Sequence, residues 1–281
     1  MIFGATTGLT ATGVHSVAFK GFNAGAQVYH AARPRYPLTA VEHLFSHQPA
    51  TSATTPQSIL ELGSGTGIFT AHIQRHFPAG KITCVEPTRN MSNVALETLS
   101  PSPPVKIYTS TADIIPLPDG SVDRIFAAQA FHWFADLASL KEMNRVLKPG
   151  GVLGLIWNVE DKNRAPWRQI WELCEAEENG TPQYHHGTWR RVFDGKEAKQ
   201  WFELPLKGSS FQHEQVIPDK ETIWNRVLSK SYISALPLPE QMNLREKIMA
   251  ILDENELQID RDDNSHLLSP YQTDVYVAFK K

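Results

Sequence analysis

The sequence predicts an α/β fold in which a mostly parallel sheet is covered by helices on both faces. Three observations predict it. Short apolar runs at residues 58–62, 81–87, 105–109, 124–128 and 152–157 have the length and composition of buried strands. Segments with helical apolar spacing, at 68–77, 91–99 and 137–147, separate them. The first run breaks into Gly63-Ser64-Gly65-Thr66-Gly67, a glycine turn leading from strand into helix. Strands and helices alternating at this rhythm form βαβ units, and parallel strands paired in this way are buried on both faces.

Composition narrows the class. The chain has 281 residues, 41% hydrophobic and 20% charged, with a formal net charge of −3. That is ordinary for a globular protein with a full core. It carries no basic block, so nucleic acid is not an expected partner. No apolar run reaches membrane-spanning length, so no membrane insertion is expected. Cys84 and Cys174 lie in apolar patterns and read as buried free thiols of a reducing compartment, hence a cytoplasmic location, with a mitochondrial one left open. Nothing in the sequence fixes an oligomeric state.

In chain order, residues 1–20 are rich in Gly, Thr and Ala, have no acidic residue and lack the basic and apolar regions of a secretory signal. They are expected to be a flexible N-terminus. A helix over 24–32 must end before Pro34, because the residue preceding proline disfavours the α region. A second starts at Pro37 or Leu38, with Val41, Leu44 and Phe45 on one face. Residues 47–57, with Pro49 and Pro56, read as a loop. Pro101, Pro103 and Pro104 close the helix that ends near Leu99. Pro116-Leu117-Pro118-Asp119-Gly120 reads as a turn, and Lys148-Pro149-Gly150-Gly151 as a helix stop. Beyond Asn158 the rhythm changes. Five of the seven tryptophans lie between Trp157 and Trp201. Trp167, Trp171 and Cys174 share a helical face, a polar stretch follows at 179–187, and helices are expected over 189–202, 220–234 and 240–254. Alternation at 211–217 and 271–279 predicts two more strands.

The glycine loop sets the chemistry. Glycines tolerate positive φ and let a ligand approach bare backbone, and the helix that follows presents free N–H groups. Dinucleotide-binding loops use the spacing G-x-G-x-x-G. Here the spacing is G-x-G-x-G, with Glu61 two residues before the first glycine, which argues against a nicotinamide dinucleotide. Glu86 ends the second strand, where a carboxylate can accept bonds from both hydroxyls of a ribose. Glu61, Glu86 and Gln129 all fall at or near strand C-termini, where ligands bind in open α/β sheets.

With these residues in place, the loop resembles motif I of the class I S-adenosylmethionine (SAM) methyltransferases. Thr111-Ala112-Asp113-Ile114-Ile115-Pro116-Leu117-Pro118-Asp119-Gly120-Ser121-Val122-Asp123 resembles a run of the methyltransferase type 11 group, which includes ubiquinone/menaquinone-biosynthesis methyltransferases. Arg145-Val146-Leu147-Lys148-Pro149-Gly150-Gly151 completes the likeness, which covers residues 58–157 and weakens beyond 160. The resemblance implies a Rossmann-like fold: a seven-stranded, mostly parallel sheet with an antiparallel last strand and a helical lid. It implies a single methyltransferase domain over 21–281, with a SAM-binding core at 58–157 and a helical cover over the acceptor pocket at 160–202 and 220–254.

It also assigns residues. Gly63, Ser64, Gly65, Thr66 and Gly67, with Glu61, would cradle the amino-acid end of SAM; Glu86, Pro87 and Met91 would hold the ribose side. Ala112 and Asp113 would hold the adenine, Asp113 because Thr111 replaces the usual aspartate. Gln129 and Ala130 would border the cofactor. Tyr29-x-x-x-Arg33-Pro34-x-Tyr36-Pro37 resembles an element that folds over the methionine end in related enzymes with small-molecule acceptors, so Tyr29 and Arg33 would meet its carboxylate. His132-Trp133 resembles the trans-aconitate-methyltransferase-like branch. His132 is the candidate general base, with hydrogen-bond donation to the acceptor as the competing role. Phe131, His132, Trp133, Trp157, Trp189 and Tyr232 are the candidate acceptor-pocket residues. The expected reaction is methyl transfer from SAM to a small organic acceptor, a carboxylate or hydroxyl oxygen favoured. A non-methylating use of the fold, pericyclic or isomerising, is the alternative. No metal is expected: His72 and His76 share a helix face without further ligands and read as solvated, and His185-His186 lies in a loop.

Overall fold

The computed structural model describes residues 15–50 and 56–281. Most of the stretch expected to be a flexible N-terminus, residues 1–14, lies outside these. The rest does not: α1 (Ser16–Ala24) is helical, so the boundary drawn at residue 20 falls inside a helix. Then follow α2 (Ala26–Ala32), α3 (Leu38–Ser46), β1 (Ser58–Leu62), α4 (Thr70–His76), β2 (Lys81–Val85), α5 (Arg89–Thr98), β3 (Val105–Tyr108), β4 (Val122–Ala128), α6 (Leu137–Val146) and β5 (Leu147–Glu160). The C-terminal part holds α7 (Trp167–Glu175), α8 (Lys196–Trp201), β6 (Lys207–Ile217), α9 (Lys220–Leu228), α10 (Ser231–Ser234), α11 (Leu238–Glu254) and β7 (Leu267–Phe279).

The seven strands of the described residues form one sheet in the order β3-β2-β1-β4-β5-β7-β6. β1 to β5 are parallel, and β7 runs against both β5 and β6. The chain winds outward from β1 to β3, then restarts at β4 on the other side of β1. That reversal opens a crevice beyond the C-terminal ends of β1 and β4, where ligands bind in such sheets. Adjacent residues serve opposite faces. Leu60, Leu62, Ile125 and Leu153 pack with α6 residues such as Leu140 and Met143; Ile59, Phe126 and Val152 pack with Leu44, Phe45 and Ile73 of α3 and α4. This is why the strands read as near-continuous apolar runs.

Several local expectations change. β5 begins at Leu147, inside the predicted helix stop: Leu147 pairs with Val122, and the register shifts before Arg124 pairs with Val152. Residues 188–194 form a 3₁₀ helix before α8, and the helix expected at 220–234 breaks into α9 and α10. Of the two histidines expected on a solvated helix face, His76 is exposed but His72 is not. His72 is buried edge-on to Tyr36, and burial lowers its pKa to about 4. Both cysteines are buried and free. No helix among the described residues is long and apolar enough to cross a membrane. A separate apolar cluster, including Ile170, Cys174, Ile223, Val227, Ile248 and Leu252, ties α7, α9 and α11 together.

Candidate functional site

β1 ends at Leu62 and delivers the glycine loop into the crevice. Gly63 and Gly65 have φ of +67° and +55°. A Cβ on Gly63 would lie 2.7 Å from Ala130 Cβ, so the loops after β1 and β4 touch only because it is absent. A Cβ on Gly65 would meet no atom of the described residues within 4 Å; it would project beside the loop. Gly67 does not line this crevice. It closes the loop, its N–H donating to Ser64 O (3.0 Å).

Glu86 follows β2 and is held by two backbone donors, Gly65 N–H to Oε2 and Thr88 N–H to Oε1, both at 2.9 Å. Each oxygen keeps a lone pair for the cavity that Glu86 lines. Burial raises its pKa, opposed by these two bonds. The cavity, about 240 Å³, is also lined by Gly63, Gly65, Pro87, Thr88, Met91, Thr111, Ala112, Asp113, Gln129 and Ala130. The sequence reading missed its roof: His15, Ala18 and Phe22 of the α1 region, which grip Trp133 through ring contacts of 5.6 Å (His15) and 6.0 Å (Phe22).

A smaller cavity adjoins it, bordered by Tyr29, Arg33, Glu61, Ser64, Thr66 and Gln129. Glu61 accepts from Thr70 Oγ1 (2.6 Å). Burial pushes its pKa up to about 8, partly offset by that bond. Thr66 Oγ1 and Arg33 Nε are buried without a hydrogen-bond partner among the described residues. Buried polar atoms are seldom left so, and here they border a cavity. An ammonium and a carboxylate, the two charges of an amino acid, would find complementary groups in Glu61, Thr66 and Arg33. The residues therefore fit SAM: an amino-acid end here, a ribose at Glu86 and a base between Met91 and Ala112–Asp113.

The comparisons with known proteins agree. The family model described as "Methyltransferase domain" matches residues 60–155. An uncharacterized methyltransferase-like protein of Schizosaccharomyces pombe is 32% identical over 267 residues, 94% of this chain and 97% of that one. The chain belongs to the class I SAM-dependent methyltransferases. An uncharacterized methyltransferase of Mycobacterium tuberculosis is 34% identical over 235 residues, 82% of this methyltransferase and 85% of that protein. Among solved structures, the YcgJ protein of Bacillus subtilis shares the fold, with a TM-score of 0.52 at 16% identity, over 87% of this chain and 98% of that one.

A third cavity of the methyltransferase lies beyond Gln129, which borders all three. Gln129 has φ of +53°, a conformation a non-glycine residue adopts at some cost, and its side chain donates to Asn158 O (2.9 Å). Among the residues expected at an acceptor pocket, His132, Trp133 and Tyr232 line this cavity. Phe131, Trp157 and Trp189 do not. Phe131 stacks on Phe193 in the core, while Trp157 stacks on Tyr184 and packs tilted against Trp189, both at 4.7 Å. An indole serves a core as readily as a pocket. The cavity wall is instead charged. Arg226 and Lys230 enter from α9 and the α9–α10 turn, Glu160 from the end of β5, and Glu178 and His185 from the segment after α7. Of these, Glu160 was within reach of the strand-end rule.

His132 is also corrected. Trp157 Nε1–H donates to His132 Nδ1 (3.1 Å), so Nδ1 carries no proton. A neutral imidazole then holds its proton on Nε2. Burial, reinforced by Arg33, lowers the His132 pKa to about 3, so the ring stays neutral. It offers the cavity a donor and has no free lone pair to act as a general base.

Proposed function

We propose that this methyltransferase transfers the SAM methyl group to an oxygen of a small organic anion, a carboxylate favoured. Arg226 carries the reading. Its Nε and Nη1 are buried, without hydrogen-bond partners among the described residues, in a residue that lines the cavity beyond Gln129. Lys230 is committed to Glu160 at 2.8 Å, a pairing that keeps the lysine charged against the cost of burial. The free guanidinium N–H groups of Arg226, and Arg33 beside them, suit a carboxylate, which accepts two parallel bonds.

The lack of a competent base at His132 supports the same choice. A carboxylate oxygen is already ionised near neutral pH, whereas an alcohol must lose a proton to a base. Burial raises the pKa of Tyr232, and burial together with its bond to Asp274 raises that of Tyr184, so neither phenol takes the role. When bound, SAM supplies a methyl group activated by its sulfonium. The chain's part is to hold the acceptor oxygen in line with it and exclude water. Arg226 and Arg33 position the anion, and His132 Nε2–H donates to it.

The test is a screen of small carboxylates with enzyme and SAM, reading S-adenosylhomocysteine together with a product heavier by one methyl. Arg226→Met should raise KM for the active carboxylate by about tenfold or more and leave SAM affinity intact. Turnover of neutral acceptors in preference to anions would overturn the acceptor class. Product formed without S-adenosylhomocysteine would favour a non-methylating reaction.

A further inference from the structure

We propose that Glu178, His185 and His186 form a binding site for a divalent transition-metal ion at the edge of the acceptor cavity, with zinc as the matching chemistry. The fold brings them together locally. Glu178 closes a turn after α7, where Thr181 N–H bonds to its carbonyl (2.8 Å). The two histidines occupy the single-turn 3₁₀ helix Tyr184–His186, ended by Gly187 at φ +70°.

The donor geometry is convergent. Glu178 Oε2 lies 2.9 Å from His186 Nε2 and 3.2 Å from His185 Nε2, and the three ligand atoms lie within 4.8 Å of one another. A tetrahedral zinc with bonds of about 2.0–2.2 Å sets its ligand atoms roughly 3.3–3.6 Å apart, inside this spread. His185 Nε2 is the informative atom. It is buried and makes no hydrogen bond among the described residues, even with a carboxylate oxygen 3.2 Å away. The angle of this approach does not make it a hydrogen bond to Glu178. Trp171 holds the ring edge-on at 5.3 Å. Glu175 Oε1, 3.8 Å from the same nitrogen, stands near as a further oxygen ligand.

Charge balance points the same way. The Glu178 carboxylate is buried, and among the described residues its side-chain contacts run to the two imidazoles, with His186 Nε2 at hydrogen-bond distance. A buried carboxylate needs a compensating cation. One dication held between the two rings, whose centroids lie 4.5 Å apart, and the carboxylate would satisfy all three groups. Two histidines and a carboxylate leave coordination positions open, as catalytic zinc sites do. Glu178 and His185 line the acceptor cavity, so an open position there can take an acceptor oxygen. That use rests on the acceptor reading above; the ion site rests on the three side chains alone.

The experiment uses the full chain, stripped with a chelator and titrated with zinc by calorimetry and with cobalt by visible absorption. One equivalent should bind, cobalt should show the d–d bands of a four- or five-coordinate site, and zinc should displace it. Glu178→Gln and His186→Ala should each weaken zinc binding by more than about tenfold. His43→Ala, on α3, should leave it unchanged. SAM binding by each variant reports that the fold is intact. Zinc binding that is absent, or equal in wild type and variants that still bind SAM, overturns the proposal. Zinc bound with no carboxylate turned over would leave the site standing and sink the acceptor reading instead.

Discussion

At the scale of single residues, protons decide what the cofactor and acceptor meet. Glu61 has a pKa raised to about 8 by burial, so in the protein alone its carboxyl is mostly protonated at neutral pH. The ammonium of a bound amino-acid end favours the carboxylate, so SAM binding must drive a proton off. Below the raised pKa that ejection opposes binding; above it the cost disappears. SAM affinity should therefore climb between about pH 6 and pH 8, by up to about tenfold per unit, and then level off. Calorimetry in buffers of different ionisation heat should record the released proton, and Glu61→Gln should abolish both effects. The same proton release in the Gln variant would assign it elsewhere. His132 makes the opposite prediction. With a pKa near 3 and Nδ1 engaged by Trp157, it titrates outside the working range. His132→Ala should lower kcat by about 10²-fold through loss of a donor, with the pH profile unmoved. A limb near pH 6.5 in wild type that vanishes in the variant would restore the base.

At the scale of elements, two contacts fix how helices meet the site. Gly21 lets α1 lie against α10: a Cβ there would run into Ser231 O and stand 2.7 Å from Ser231 Cα. Backbone cannot yield as a side-chain tip can, so Gly21→Ala should lift α1 from its seat. Because Ala18 and Phe22 of α1 roof the nucleoside cavity, SAM affinity should fall by about tenfold while the sheet stays folded, which titration alongside far-ultraviolet circular dichroism would show. Arg124 does the same service for α3. Buried in β4, it donates to Phe45 O, His47 O, Gln48 Oε1 and Gln57 Oε1. Arg124→Met leaves buried acceptors unmatched and should cost roughly 3 kcal/mol in urea unfolding. These elements also show where sequence reading stops. The strands were legible because each is apolar on both faces, and the glycine loop with Glu86 because a ligand-binding turn has a spacing. Arg226 and Lys230 have no such signature: single charges at helical spacing read as a solvated face until the fold turns them inward. Trp157 and Trp189 failed the other way, since an indole's size fits it for a core or a pocket and only the packing tells which.

At the scale of the whole molecule, the sheet and its cover divide the work. The C-terminal ends of β1, β2 and β4 supply Glu61, Glu86 and Gln129, at or just past strands braced from both faces. The cover over them is built differently. α1 and α2 are short, and neither has a side-chain N-cap. Helices of that length are marginal by themselves and depend on what they pack against. Their residues nevertheless border every cavity at the crevice: Phe22 and Tyr29 the nucleoside and acceptor cavities, Tyr29 and Arg33 the amino-acid cavity. A ligand filling those cavities supplies the contacts that the two helices lack, so binding and ordering of the cover are one equilibrium. SAM at about a hundred times its Kd should stabilise the protein by about 2.7 kcal/mol. Hydrogen exchange should place most of that gain locally, slowing the amides of α1 and α2 far more than those of β1, β4 and β5. The acceptor should in turn bind weakly until SAM is present, because Tyr29 and Arg33 serve both sites. Protection spread evenly over sheet and cover, or acceptor affinity indifferent to SAM, would show that the cover is already rigid and that the two sites are independent.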